Sequence, residues 1–216
     1  MQILALTSQF VSSGGDTLEL QLGTKTVADF FGIDDPAFRG GARAGAGDIT
    51  KDGTPDLIVS AGFGGGPRIA GFNGKSLGVT PVKIFADFFA FEETLRNGAF
   101  VAVGDLNGDG FGELLIGSGP DGGPRVRAFS GVDLMGGKQT EVSNFFAGDP
   151  ATRGGVRIST TDVNADGISE VLVSLGDGGS SRVKLFSAAD VLARGTPTAA
   201  REFNLFGDFM NGAFVG

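Results

Sequence analysis

The chain repeats itself every 57 residues. Gly41, Gly98, Gly155 and Gly212 stand one step apart, and Asp48, Asp105 and Asp162 keep the same step. So do Arg68, Arg125 and Arg182, and Phe72, Phe129 and Phe186. Pro67 and Pro124 recur, with Ser181 at the third position. Agreement at so many phases excludes coincidence. A fixed period of this size calls for copies of one supersecondary unit packed side by side, not one irregular core.

Each unit reads as four short strands. In the second unit residues 99–103 (AFVAV) form the first, and 114–117 (LLIG) follow an acidic loop as the second. Residues 125–129 (RVRAF) alternate as the third, and 141–146 (EVSNFF) form the fourth. The connections carry Gly, Pro, Asp and Asn, as turns require. Only 188–193 suggests a helical turn. Four strands per unit point to an all-β fold, a β-propeller of four-stranded blades. A Greek-key sandwich imposes no such period.

The expected layout is one domain over 1–216, with blades at 41–96, 97–153 and 154–210. Residues 1–40 plus 211–216 form a composite blade: 3–6 as its second strand, 18–22 as its third and 26–31 as its fourth. The C-terminal GAFVG (212–216) copies GAFVA (98–102) and reads as its first strand. Pairing of that strand with the N-terminal segment closes a ring of about four blades and removes two aggregation-prone edges. If four-fold closure is too tight, two chains exchange end strands. The chain is thus expected to be a monomer or a strand-exchanged dimer.

Composition narrows the chemistry. The 39 glycines belong to the turns of a repeated fold. There is no Cys, hence no disulfide framework, and no His, the commonest general base and transition-metal ligand. Trp and Tyr are also absent while Phe occurs 20 times, so the aromatics read as packing units; Phe31, Phe89, Phe146 and Phe206, each after or within a fourth strand, are expected in the core between blades. A net charge of −8 argues against a nucleic-acid partner and for cations. No apolar run reaches the length of a membrane span. Residues 1–13 lack the basic start and cleavage site of a signal peptide.

Three acidic loops carry the chemistry. Residues 48–56, 105–113 and 162–170 share the pattern D-x-[NT]-x-D-G-x-x-[DE]. The expected oxygen donors are Asp48, Thr50, Asp52 and Asp56 with the carbonyl of Thr54; Asp105, Asn107, Asp109 and Glu113 with that of Phe111; and Asp162, Asn164, Asp166 and Glu170 with that of Ile168. Flexible, all-oxygen coordination suits Ca²⁺ better than Mg²⁺, so up to three Ca²⁺ ions are expected. An EF-hand places its last acid at the twelfth position between helices; here it stands ninth, between strands. The first loop is expected to be weakest, since Thr50 replaces Asn and Lys51 adds a positive charge. Affinities of about 10⁻⁴ to 10⁻³ M, usual for extracellular calcium modules, fit such sites.

The stretch GAFVAVGDLNGDGFGELLIGSGPDGGPRVRAFSG (98–131) resembles FG-GAP repeats, the blades of integrin α-subunit propellers and of many bacterial surface proteins. FFGIDDPAFRGGARAGAGD (30–48) is similar to the junctions between bacterial repeats of this type. The resemblance implies a propeller with Ca²⁺ between the first two strands of each blade, and a role in adhesion or protein interaction. Weak calcium sites suit an extracellular or cell-surface location, and a protein or polysaccharide ligand is expected. Because calcium accounts for every strong acidic cluster and no catalytic motif stands out, no enzymatic activity is expected. The alternatives are a carboxylate-dependent enzyme acting on glycans, or an excised or engineered repeat fragment with no autonomous function. The turns GFGGGP (62–67) and GPDGGP (119–124) read as tight turns, because no helix follows to make a phosphate cradle. Arg68, Arg125 and Arg182 read as repeated salt bridges to a neighbouring blade, with an anion site as the alternative.

Overall fold

Short apolar runs separated by Gly-, Pro- and Asp-rich turns cannot propagate a helix, and each unit instead folds back on itself as an antiparallel meander. The computed structural model describes residues 17–22, 25–35, 37–193, 195–204, 206–208, 210 and 212–215. The strand expected at 3–6 lies outside them. A hairpin of β1 (Thr17–Leu22) and β2 (Lys25–Phe31) comes first. Three four-stranded antiparallel sheets follow. The first contains β3 (Ala42–Gly47), β4 (Asp56–Ala61), β5 (Arg68–Phe72) and β6 (Phe88–Phe89). The second contains β7 (Ala99–Gly104), β8 (Glu113–Ser118), β9 (Arg125–Phe129) and β10 (Glu141–Phe146). The third contains β11 (Val156–Thr161), β12 (Glu170–Leu175), β13 (Arg182–Phe186) and β14 (Arg201–Asn204). In each sheet the strands lie in chain order.

Both faces of the first two sheets are covered, so their second strands are almost continuously apolar. Every residue of β4 and β8 is buried. The two-residue period of a strand sends successive side chains to opposite neighbours. Ile58 joins Val101, Leu114 and Ile116 in the core between the first two sheets, while Leu57 and Val59 pack toward the hairpin with Phe30 and Phe72. Leu115 turns the other way and meets Ile158, Val171 and Phe186 of the third sheet. Each buried Val, Leu, Ile or Phe contributes about 1.5–3 kcal/mol.

The interfaces repeat one aromatic contact. Phe30 meets Phe72 edge-on at 5.0 Å, Phe88 meets Phe129 at 5.3 Å, and Phe145 meets Phe186 at 5.5 Å. Each joins the fourth strand of one unit to the third strand of the next. The expected core residues are displaced by one position. Phe31, Phe89 and Phe146 are 46%, 46% and 42% exposed, and Phe206 is 62% exposed. In the doublets Phe30–Phe31, Phe88–Phe89 and Phe145–Phe146 the first ring takes the inward place, and the pleat turns the second outward.

The first strands lie next to one another, β3 beside β7 and β7 beside β11. A cavity of about 200 Å³ is lined by residues 44–46 of β3, 101–103 of β7, 158–160 of β11 and Val215, all at one phase of the repeat. Residues 212–215 form no strand pairing among the described residues, yet they follow the geometry of a first strand. The Gly212 amide donates to the Gly179 carbonyl, as Gly98 does to Gly65 and Gly155 to Gly122. The Ser174 hydroxyl donates to the Ala213 carbonyl, as that of Ser60 does to Ala99.

After each third strand the chain makes a helical turn at the same phase. These are a 3-10 turn at Gly74–Ser76, α1 (Gly131–Met135) and α2 (Ala188–Leu192), capped by Asn73, Ser130 and Ser187. The turn expected near 188 is therefore one of three.

Candidate metal centres

Each acidic loop joins the first strand of a sheet to the second, and its ninth residue opens that second strand: Asp56, Glu113 and Glu170. The flanks are strands, as the spacing predicts. Inside the loops the fourth and sixth residues are left-handed: Lys51 and Gly53 (φ 58° and 79°), Gly108 and Gly110 (77° and 86°), Ala165 and Gly167 (60° and 87°). Glycine meets this requirement without steric cost at the sixth position. Lys51 and Ala165 are held there against a cost of about 1–2 kcal/mol each.

Those reversals aim amides inward at the first carboxylate. The sixth-position amide donates to the Oδ2 of Asp48, Asp105 and Asp162 at 2.7, 2.8 and 2.9 Å. The seventh-position amide donates to the Oδ1 of Asp52, Asp109 and Asp166 at 2.9, 2.8 and 2.8 Å. Asn107 and Asn164 accept the fifth-position amides at 2.8 and 2.9 Å. Thr50 instead donates its hydroxyl to Asp48 Oδ1 at 3.4 Å. Every sequence-predicted donor residue thus belongs to one hydrogen-bonded loop, with the carboxylates turned to amides. Among the described residues no three or more Asp or Glu side chains form a ready-made metal cluster. The amide of Gly167 is the chief group holding the Asp162 carboxyl below its ordinary value.

The ninth acids are buried: Asp56, Glu113 and Glu170. Asp56 accepts the amides of Ile49, Thr50 and Gly74, tying the loop to the 3-10 turn. Glu113 accepts Leu106 N and the Asn107 side-chain amide. Burial pushes its carboxyl up to about 7, with Asp109 and Asp105 adding repulsion against the pull of the Leu106 and Gly131 amides. Glu170 accepts Val163 N.

Positive charge separates the first loop from the others. Lys75 Nζ stands 3.2 Å from Asp52 Oδ2 and donates to the Asp52 carbonyl. Burial opposes ionisation of Asp52, but Lys75, the Thr54 amide and Asn73 hold its carboxyl below the ordinary value. One and two steps on from Lys75 stand Val132 and Ala189, so the other loops have no such ammonium. Lys51 does not turn back on its own loop. Its Nζ donates to the Asp109 carbonyl at 2.5 Å and lies over the Phe111 ring. Among the described residues no Lys or Arg pairs with a carboxylate of the second or third loop. Those two donor sets, hard oxygens whose carboxylates have no ion pair although the Lys51 ammonium touches the Asp109 carbonyl, fit a divalent cation. The first is already served by Lys75.

The repeated arginines are ion-paired. Arg68 contacts Asp87 at 2.8 Å and, more loosely, Asp34 from the preceding unit at 3.8 Å. Arg125 reaches Glu92 of the preceding link at 3.2 Å. Arg182 pairs within its own sheet with Glu202 at 3.5 Å. The turns at 62–67 and 119–124 link second to third strands with no helix following. Sequence reasoning missed Lys75 and a cluster of Arg96, Arg125 and Arg153 around a cavity of about 560 Å³. Arg39, Arg96 and Arg153 keep the 57-residue step, a signal that could have found two of the three.

Residues 97–131 match the family model of the FG-GAP repeat, consistent with an FG-GAP repeat protein. The match spans β7, the second acidic loop, β8 and β9. No curated protein matches the chain. Among the described residues no helix is long and apolar enough to cross a membrane.

Proposed function

We propose that the chain is a calcium-binding β-propeller of about four blades, serving as an extracellular binding, adhesion or scaffold module. The observation that carries the calcium reading is the second loop. Asp105, Asp109 and a buried Glu113 share one hairpin, and among the described residues no Lys or Arg pairs with their carboxylates. Asp105, Asn107, Asp109, Glu113 and the Phe111 carbonyl would hold one ion, and the corresponding third-loop residues another. A bound dication would supply the positive charge that buried carboxylates require. Ions at the second and third loops would bring the formal charge from −8 to −4, and a third ion, if it displaced Lys75 from the first loop, would bring it to −2. Linkage would then add about 1.4 kcal/mol per site at roughly tenfold saturation.

The cavity lined at one phase by four consecutive units supports four-fold packing, with residues 212–215 in the fourth inner place. The FG-GAP match supports a surface-exposed binding role. Glycan hydrolysis requires a carboxylic acid held protonated near a second carboxylate. The larger cavity does hold Glu92 and Asp121, but both are solvated. Arg125 engages Glu92 and the Asn97 amide engages Asp121, a poor setting for a general acid.

Mass in solution and a thermal melt, each in millimolar Ca²⁺ and in EDTA, test the proposal. A monomer that melts higher with calcium is the expected result. A calcium-dependent dimer would move ring closure to strand exchange, and a melt indifferent to chelation would end the calcium assignment.

A further inference from the structure

At the end of the second sheet opposite its acidic loop, a cavity of about 560 Å³ opens between the link into β7, the β8–β9 turn and the link out of β10. Phe91, Leu95, Phe146 and Pro150 supply apolar wall, and Arg96, Arg125 and Arg153 supply charge. A volume of this size suits a small ligand or a few residues of a peptide.

The charges do not cancel. Glu92 pairs with Arg125, and the Asp121 carboxylate takes the Asn97 amide. Among the described residues Arg96 has no ion pair, and Arg153 donates only to the carbonyls of Pro150 and Thr152. The first sheet shows how the same positions are neutralised. There Arg68 is held by Asp87, whose side chain is only 8% exposed. One step on, Asp87 becomes Asn144, which accepts from Arg125 at 2.9 Å without cancelling its charge. In the third sheet the series Arg39, Arg96, Arg153 ends at Met210. The second sheet alone combines three arginines with an uncharged partner on its fourth strand.

We propose that this cavity binds a short acidic peptide segment of a protein partner, its Asp or Glu carboxylates held by Arg96 and Arg153 and its aliphatic parts against Phe146 and Pro150. Guanidinium forks match carboxylates in geometry as well as charge. A peptide fits better than an acidic glycan, because sugar hydroxyls need many hydrogen-bonding side chains. Apart from its charged groups the wall offers only Thr94 and Ser118, and the Ser118 hydroxyl already donates to the Gly123 carbonyl. Its remaining side chains are the apolar Phe91, Leu95, Phe146 and Pro150, which suit aliphatic side chains better than sugar hydroxyls. The chain's net charge of −8 repels acids at long range, so recognition is local. This site deepens the binding-module reading and is independent of calcium.

The test is fluorescence anisotropy on the full chain with a labelled hexapeptide alternating Glu and Leu, against its Gln counterpart. Arg96→Ala and Arg153→Ala should each weaken binding about tenfold. Asn144→Asp should weaken it by restoring the neutralising carboxylate, and Arg182→Ala should leave it unchanged. Thermal melts of the parent chain and of each variant in calcium and in EDTA are read in parallel. Weakened binding in Arg96→Ala and Arg153→Ala with an intact calcium-dependent melt supports the site, whereas no peptide binding by the unsubstituted chain with an intact calcium-dependent melt overturns this site and leaves the calcium reading standing. Equal binding of the Gln peptide, insensitivity to Arg96→Ala and Arg153→Ala, or no saturation at about millimolar peptide overturns the proposal. Stronger competition by oligogalacturonate or a phosphoserine peptide overturns the ligand class.

Discussion

The Arg157 guanidinium stands 4.3 Å from the centroid of the Phe214 ring, as that of Arg43 stands 4.3 Å from Phe100. These four residues occupy one phase of the repeat, alternately Arg and Phe. Phe100 and Phe214 also meet edge-on at 6.4 Å. The C-terminal segment is therefore engaged as if it were the next first strand. Arg157 is buried, donates to the Leu175 carbonyl and leaves its Nε without a partner.

Phe214→Ala should destabilise the chain by about 1 kcal/mol, the scale of an exposed cation–π contact with a little apolar burial. Arg157→Ala should cost about 3 kcal/mol, since a buried side chain and its carbonyl bond go together. A double-mutant cycle read by urea unfolding should give a coupling of about 1 kcal/mol. A coupling near zero would show that the C-terminal segment is not docked through this pair.

Lys75→Ala should strengthen calcium binding at the first loop. The ammonium lies 3.2 Å from Asp52 Oδ2, yet it is 56% exposed, so solvent discounts the interaction to under about 1 kcal/mol. The expected gain is therefore about two- to fivefold in affinity, seen by titration calorimetry. Glu113→Gln should abolish the second site. Unchanged heats for Lys75→Ala would mean that Lys75 does not compete.

Asp56→Ala should cost about 3 kcal/mol whether or not calcium is present. The carboxylate accepts three backbone amides at 2.9–3.0 Å in a fully buried position, and its removal leaves them without partners. Equal losses in calcium and in EDTA are expected from melts of the variant. A loss confined to the calcium-loaded protein would assign Asp56 to the ion rather than to the fold.

The strands were legible because period and alternation act on every residue. RVRAF and EVSNFF predict β9 and β10 to the residue, and LLIG falls within β8. The loop residues were legible because a left-handed turn at Gly53, Gly110 or Gly167 leaves a spacing mark. The side of the sheet was less so. In doublets such as Phe145–Phe146 composition is the same on both faces, and only a packed neighbour decides which ring turns inward. Lys75 and the arginine cavity were hidden for another reason. They depend on positions where the repeat breaks, Val132 after Lys75 and Asn144 after Asp87, and a search for agreement passes over departures. The five-residue helix α1 is too short to show a period. Its mark is the cap, Ser130 accepting from the Asp133 amide.

Gly98→Ala should be among the most damaging single-methyl changes in the chain. Gly98 is left-handed, with φ 67°, and Gly41, Gly155 and Gly212 share that geometry at φ 72°, 70° and 69°. A Cβ at Gly98 would overlap the carbonyl oxygen of Ala61, a backbone atom of the neighbouring sheet that cannot swing aside. The conformational cost of about 1–2 kcal/mol then adds to an overpacking cost of about 1–3 kcal/mol. Gly137 separates the two effects. Its φ is 76°, but a Cβ there would meet nothing within 4 Å. Gly137→Ala should therefore lose only the conformational part, about 1–2 kcal/mol. Urea unfolding of both variants should place Gly98→Ala at least about 1 kcal/mol below Gly137→Ala. Equal losses would mean that the first and second sheets do not approach as closely as the shared position of Gly98 and Ala61 requires.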